Sequence, residues 1–362
     1  MKKRNLIIIL VVAVLGVAAL IVAGHGSKNT TFIDDYHVDG IQDVTKIFLA
    51  DKQDHTVLLT KGYEDNDTAW TINGQYEANQ SMVEMLLETL NQMRVRQQVN
   101  KAAVPNAIKN IGASSVKCEV YKNEPFINWF GGAIQLFRRE KLVVTYFVGH
   151  ETQDNMGNYI YREGDKVPYI VHVPGFRGFI APRFVTDPVL WRSHRIVNMN
   201  VKEIKQVSLD ITDKPEESFS ILSNGTGGFS MQMAQSNVVV PYYDTARVAQ
   251  MLLSFSNLNF DEFANKVPKA ELDSAFRRPP STVLTVTDTA NRQYKVKTYI
   301  KYKNLDDVEK VGGEELYEVF DLNRMYAIIN DKDTVLIQYL SFDNILQPAS
   351  FFLGKEVNPL VQ

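Results

Sequence analysis

Residues Leu6 to Ala23 carry no charged or amide side chain, and Lys2, Lys3 and Arg4 stand directly before them. A helix of about 18 apolar residues is just long enough to cross a ~30 Å hydrocarbon core, and cations ahead of it hold that end in the cytoplasm. The sequence therefore predicts one transmembrane helix within residues 1–24, crossing once, with the body of the chain outside the cytoplasm. A cleaved secretory signal competes with this reading, but its apolar core runs to about 7–15 residues and ends in a small-x-small site. Ile21 and Ala23 fit that site poorly, whereas Val22-Ala23-Gly24 is passable, so cleavage stays open. No cysteine follows the apolar run, which excludes a lipoprotein anchor.

Composition constrains what that body can be. The whole chain is 45% hydrophobic, 10% aromatic and 22% charged, with a formal net charge of -3, which suits a folded body and leaves no basic surplus for holding nucleic-acid phosphates. The one cysteine, Cys118, has no intramolecular partner. It alternates with Val116 and Val120, where a small buried side chain is expected rather than a reactive thiol.

Residues 25–40 are polar and aperiodic, as in a tether. The folded part is expected as two copies of one unit, 41–198 and 199–345, followed by a C-terminal tail, 346–362. In the first copy Ile47 and Leu49 alternate with polar neighbours, as do Val57 and Leu59, and Trp70 and Ile72 precede the hairpin signal Asn73-Gly74. Met82, Val83, Leu86, Leu87, Leu90 and Met93 then mark one face of a helix that Asn79 or Ser81 would cap. Strands follow at Val116 to Tyr121, Leu142 to Val148, Tyr159 to Tyr161 and Tyr169 to Val173. The second copy repeats the order: Val207 and Leu209, Phe219 and Ile221, Phe229 and Met231, then a helix with Val248, Met251, Leu252, Phe255 and Leu258 behind Asp244 or Thr245. Strands are expected again around Leu284 and Val286, Tyr294 to Ile300, Tyr317 to Val319 and Tyr326 to Ile328.

The offset between the copies is 160 at Ile47/Val207, 165 at Val83/Val248 and 166 at Cys118/Leu284, and it falls to 152 at Val144/Val296. The fall locates an insertion in the first copy, near 125–139. Consecutive strands with short turns favour antiparallel pairing, so the expected fold is α+β: two related copies of a mainly antiparallel β-sheet packed on helices, preceded by one transmembrane helix.

Chemistry is harder to find. Ser114-Ser115-Val116-Lys117 has the Ser-x-x-Lys spacing of acyl-enzymes, but it enters a strand, where side chains three apart point to opposite faces. The six histidines, including His172, are scattered, with no pair at metal-ligand spacing. Asn224-Gly225-Thr226-Gly227-Gly228 precedes a strand rather than a helix and so reads as a hairpin turn, not a phosphate loop. No catalytic residue, metal ligand or cofactor is assigned.

Several stretches together resemble one family. They are the N-terminal apolar run, Val44 to Leu49, Trp70-Thr71-Ile72-Asn73-Gly74 leading into the Leu-rich helix, Tyr146-Phe147-Val148-Gly149, and Tyr169 to Phe176. The family is the bacterial one called domain of unknown function 4340, and the resemblance covers most of the chain after the anchor. It implies a body on the periplasmic side of the cytoplasmic (inner) membrane and ABC-type transporter subunits, of the kind related to gliding-motility exporters, as partners. It implies no catalytic residues.

Three features stand out. The insertion Pro125 to Arg139 would present Phe126, Trp129, Phe130, Phe137, Arg138 and Arg139, an apolar tip with adjacent cations suited to a membrane interface or a hydrophobic groove on a partner. If it folds back, the same tip packs on its own domain. Next, Pro174 to Phe179 with Arg177, Arg183, Trp191, Arg192, Arg195 and His172 offers a ligand contact or a linker that locks the copies together. Last, Asp followed by Ser or Thr and a small or aliphatic residue recurs at Thr68, Thr245, Ser274, Thr289 and Thr334. This resembles an O-glycosylation signal used outside the cytoplasm, although such pairs also suit turns and helix caps. The function expected is that of a membrane-anchored, extracytoplasmic accessory or binding protein beside an ABC-type exporter, without evident catalysis. An envelope enzyme acting on a glycan or peptide through unidentified carboxylates, and a structural spacer, are the alternatives.

Overall fold

The computed structural model describes residues 36–63, 66–129, 134–302, 310–311, 314–315 and 320–353. The apolar run at 6–23 and the strand expected at 317–319 lie outside them. No helix among the described residues is long and apolar enough to cross a membrane. The chain divides into two compact units between Trp191 and Arg192.

In the first unit β1 (Val44–Ala50), β2 (Thr56–Tyr63), β3 (Asn66–Ile72) and β4 (Tyr76–Glu77) precede α1 (Gln80–Gln92). Then come β5 (Arg94–Gln98), α2 (Val104–Ser114), β6 (Val116–Trp129), β7 (Ile134–Glu151), β8 (Asn158–Arg162), β9 (Tyr169–His172) and α3 (Pro188–Trp191). The strands form one antiparallel sheet in the order β4-β3-β2-β1-β6-β7-β8-β9-β5. Asn73 and Gly74, with φ of 52° and 67°, make the tight turn between β3 and β4 that only such residues enter readily. The Asn79 side chain accepts from Met82 N and caps α1. Val83, Leu86, Leu87 and Leu90 of α1 are buried against Ile47, Leu49, Val57, Leu59 and Ile72 of the sheet, each contributing about 1.5–3 kcal/mol. Neighbours in a strand point to opposite faces. Val171 therefore joins that core, while Ile170 meets Ala107 of α2 and Val99 on the other face.

The second unit opens with β10 (Arg195–Val197), β11 (Ile204–Ile211), β12 (Phe219–Ser223), β13 (Phe229–Met233) and α4 (Thr245–Ser254). It continues with β14 (Leu258–Asn259), β15 (Glu262–Phe263), α5 (Lys269–Phe276), β16 (Thr282–Asp288) and β17 (Gln293–Tyr299). Two-residue β18 (Lys310–Val311) and β19 (Glu314–Glu315) precede β20 (Arg324–Ile329), β21 (Asp333–Gln338), α6 (Tyr339–Phe342) and α7 (Ala349–Phe352). Its main sheet runs β13-β12-β11-β16-β17-β20-β21-β15, and β10 pairs with β14 apart from it. Strand for strand this is the order of the first sheet without β4. The first core helix follows β4 in the first unit and β13 in the second, and a helix lies before β6 and before β16. The Asp244 side chain accepts from Ala246 N and Arg247 N to cap α4.

Several boundaries differ from the sequence reading. Tyr36 and Val38, at the end of the expected tether, are buried in the first core. Residues 195–197, assigned above to the first copy, pair within the second unit. The start of the expected tail is core: Ala349 and Phe352 are fully buried. Register also corrects one alignment. Leu49 lies opposite Cys118 and Leu209 opposite Leu284, as the offset of 166 requires, but Cys118 then faces Tyr146 while Leu284 faces Val296. Val296 therefore corresponds to Tyr146 and not Val144, one full pleat further along.

Three buried groups link this packing to pH. Burial, then the Glu119 charge, pushes the Cys118 thiol well up. Burial, then hydrogen bonds to Asp165 and Glu271 respectively, raise the hydroxyls of Tyr36 and Tyr326. Each group keeps its proton longer folded than unfolded, so its contribution is complete below the unfolded pKa and is lost as pH climbs toward the folded one. Stability should fall above pH about 8.5, where an unfolded cysteine ionises, and more steeply above about 10, by up to about 1.4 kcal/mol per pH unit per group. Urea unfolding across a pH series checks this, and Cys118→Ala should flatten the first limb only.

Candidate functional site

β6 and β7 run to 14 and 18 residues, whereas their counterparts β16 and β17 have seven each. The extra length extends beyond the sheet. Val44, the first residue of β1, lies opposite Lys122, and β8 ends at Arg162, opposite Tyr146. From Asn123 and Glu140 outward to Trp129 and Ile134, the two strands pair only with each other among the described residues. Phe126 and Trp129 lie on β6 in this ribbon, and Phe130 lies outside the described residues. On β7, Phe137 is 74% exposed at φ 56°, in the left-handed region that so bulky a residue rarely enters. Arg138 and Arg139 are exposed beside it.

The base of the ribbon meets the point where the chain enters the fold. Arg138 lies 3.4 Å from Asp43, and Lys122 Nζ donates to Asp39 O at 2.8 Å. Glu140 accepts from Thr45 Oγ1 at 2.9 Å and pairs with Lys46, whose hydrogen bond holds the carboxyl below its ordinary value. Just inside, the Tyr36 hydroxyl donates to Asp165 Oδ2 at 2.5 Å. Arg162 Nη2 donates to Asp165 Oδ1 at 3.0 Å, and Tyr146 donates to Tyr36 O at 2.7 Å. Arg162 also lies over the Tyr36 ring, 4.8 Å from its centroid. A cavity of about 600 Å³ beside this cluster is lined by His37, Lys122, Val143, Tyr146, Arg162 and Glu163, among others. Arg162 is held by Asp165 and His37 by Asp39, so the charged groups here serve to fasten the entering chain. Sequence reasoning missed this clasp, since Arg162 and Asp165 meet across the turn that ends β8 and Tyr36 reaches them only in the fold.

The stretch from His172 to Arg195 does not form one cluster. His172 is half-buried on β9, its ring pushed below the ordinary value by burial and then by the charge of Arg96. Arg183 donates to Thr89 Oγ1 at 2.6 Å and lies over Phe176, and Arg177 is exposed. Trp191 is core, its indole N–H donating to Val185 O at 2.9 Å. Arg192 belongs to the second unit, where it donates to Asp333 at 2.7 Å and lies over Phe263.

The Asp-Ser/Thr tripeptides scatter over different local structures. Thr245 starts α4 and Thr289 follows β16 in its turn; both are exposed. Such pairs suit turns and caps, but Ser274 lies inside α5, exposed, and Thr68 and Thr334 lie in β3 and β21.

Neither the Ser-x-x-Lys spacing nor the glycine-rich stretch forms a reactive arrangement among the described residues. Ser114 ends α2 and donates back to Asn110 O, while Lys117 stands on β6 paired with Glu119, so the Ser-x-x-Lys spacing spans a helix end and a strand. Asn224 Oδ1 accepts from Thr226 N and Gly228 N and closes the turn between β12 and β13. Among the described residues no group of three or more His, Cys, Asp or Glu could hold a metal ion.

No curated protein and no solved structure matches the chain. The model of one family, Domain of unknown function (DUF4340), matches residues 70–275, from β3 of the first unit to α5 of the second. That is more than half of the sequence, reaching from the first unit into the second, and the chain belongs to that family.

Proposed function

We propose that this is a membrane-anchored accessory protein whose body stands on the periplasmic side of a bacterial inner membrane and contacts an ABC-type exporter through the β6–β7 ribbon. The observation that carries the reading is the ribbon's place: it leaves the sheet at the end where the chain arrives from its N-terminal side. An isolated two-stranded ribbon is at best marginally stable in water and gains most from a surface that covers it. Its sequence, Pro125 to Phe137 with Arg138 and Arg139 behind, supplies apolar groups and cations to such a surface. Between Gly24 and Tyr36 the chain can span no more than ~40 Å. A body on so short a leash is held at high effective concentration near membrane partners, and modest affinity then suffices. The common strand order of the two sheets supports descent from one duplicated unit, with the ribbon as an addition to the first.

A photoreactive residue in place of Trp129, crosslinked in intact host cells, tests the proposal. A captured transporter subunit is expected; capture of nothing, or of lipid alone, would overturn the exporter contact. Recovery of the protein from the soluble fraction would overturn the anchor itself.

A further inference from the structure

Away from the ribbon, α2 and the loop between β7 and β8 enclose a polar recess. Ala107 and Ile111 turn the buried side of α2 toward the sheet, and Gly149 lets the helix come close. A Cβ at Gly149 would stand 2.8 Å from Tyr159 O and 3.0 Å from Ile111 Cγ1. Asn106 and Asn110, one turn apart, border the recess, and Gln153 and Asn155 face them from the loop. The loop is tied from within. Thr152 Oγ1 donates to Asp154 Oδ1 at 2.5 Å and to Gly157 O at 3.2 Å, and Met156 N donates to the same Asp154 oxygen at 3.1 Å. Arg96 donates to Asp154 Oδ2 at 2.7 Å. The Thr152 hydroxyl, then Arg96, hold the Asp154 carboxyl down to about 2. A recess so braced is preorganised, which lowers the ordering cost of binding.

We infer that this recess, about 340 Å³ in volume, binds a neutral oligosaccharide. Its lining holds no lysine or arginine to attract an anion, and Glu151, a single carboxylate, is too little for a metal cation. What it does hold is four carboxamides, each both donor and acceptor: Asn106, Gln153 and Asn155 are exposed and Asn110 half-buried, so a ligand would take over hydrogen bonds now open to water. Adjacent sugar hydroxyls present the same paired capacity. The His150 and Tyr159 rings, with centroids 5.1 Å apart and tilted by 36°, add an aromatic wall of the kind that packs on the apolar face of a pyranose. The volume lies at the small end of ligand sites. The inference stands on these residues alone and does not depend on the exporter contact.

Calorimetric titration of the full chain in lipid nanodiscs with chitotriose, cellotriose and maltotriose tests it. At least one should bind at millimolar concentration or below. The double substitution Asn106→Ala with Asn110→Ala should weaken that binding about tenfold, and Gln153→Ala by a smaller factor, with thermal unfolding unchanged. Alanine favours the helix, so the double variant is expected to fold. Failure of all three sugars to bind, or binding that survives undiminished in the double variant, would overturn the inference.

Discussion

Replacing Phe352 with alanine is expected to cost about 3–5 kcal/mol, the range for an aromatic ring removed from a packed core. Phe352 is fully buried in the second core, its ring 5.1 Å from that of Phe219 and 5.2 Å from that of Phe351. The same segment completes a helix start: Asp244 N donates to Phe352 O at 2.7 Å, and Arg247 of α4 donates to Phe351 O and lies over the Phe351 ring. Losing the ring therefore opens a cavity and loosens the cap of α4. Leu340→Ala is the control, since Leu340 is 85% exposed and its truncation should cost under about 0.5 kcal/mol. Urea unfolding of the two variants checks the contrast, and equal costs would mean that the chain's end does not belong to the core.

A second large effect is expected at Asn158, a fully buried polar residue. Its Nδ2 donates to Gly149 O at 3.0 Å, and its Oδ1 accepts from Ile180 N at 2.6 Å and Ala181 N at 3.2 Å. One side chain thus ties the end of β7 and the start of β8, which flank the loop, to the segment after β9. Asn158→Ala would leave two backbone donors and one acceptor buried without this partner, a loss of about 2–4 kcal/mol. Asn158→Asp keeps the acceptor but sets a carboxylate against the Gly149 carbonyl, and should be at least as damaging at neutral pH. Thermal unfolding reads the cost. Sugar binding should weaken in both variants, since the loop that carries Gln153 and Asn155 loses its brace.

Where sequence and structure agree, local chemistry is the reason. The alternation of β1, the Asn73-Gly74 turn and the Asn79 and Asp244 caps are written in neighbouring residues, and the fall in offset between the copies placed the long hairpin. The elements that escaped the sequence are set by distant packing. β5 reads Arg-Val-Arg-Gln-Gln, too polar for a strand by pattern, and forms because β9 offers it an edge. β21 presents Val335, Leu336 and Ile337 in succession, without the alternation that marks a strand, because it is covered on both faces. Tyr36 and Phe352 sit in polar or Pro-containing surroundings that suggest tether and tail, and only the folded unit shows that each fills a core. The recess was invisible for the same reason: Asn106 and Asn155 are neighbours only once α2 has packed over β7.

The edge strands of the two sheets set a timetable for synthesis. Among the described residues β5 pairs in its sheet only with β9, and β15 only with β21, so each leaves the ribosome well before the strand it must join. Neither sheet can close until nearly its whole unit has emerged, and contacts so far apart in sequence make folding slow. Meanwhile β5 and β15, made before their partners, present unpaired edges that are templates for other strands. A chain of this topology meets its greatest risk of aggregation during its own production.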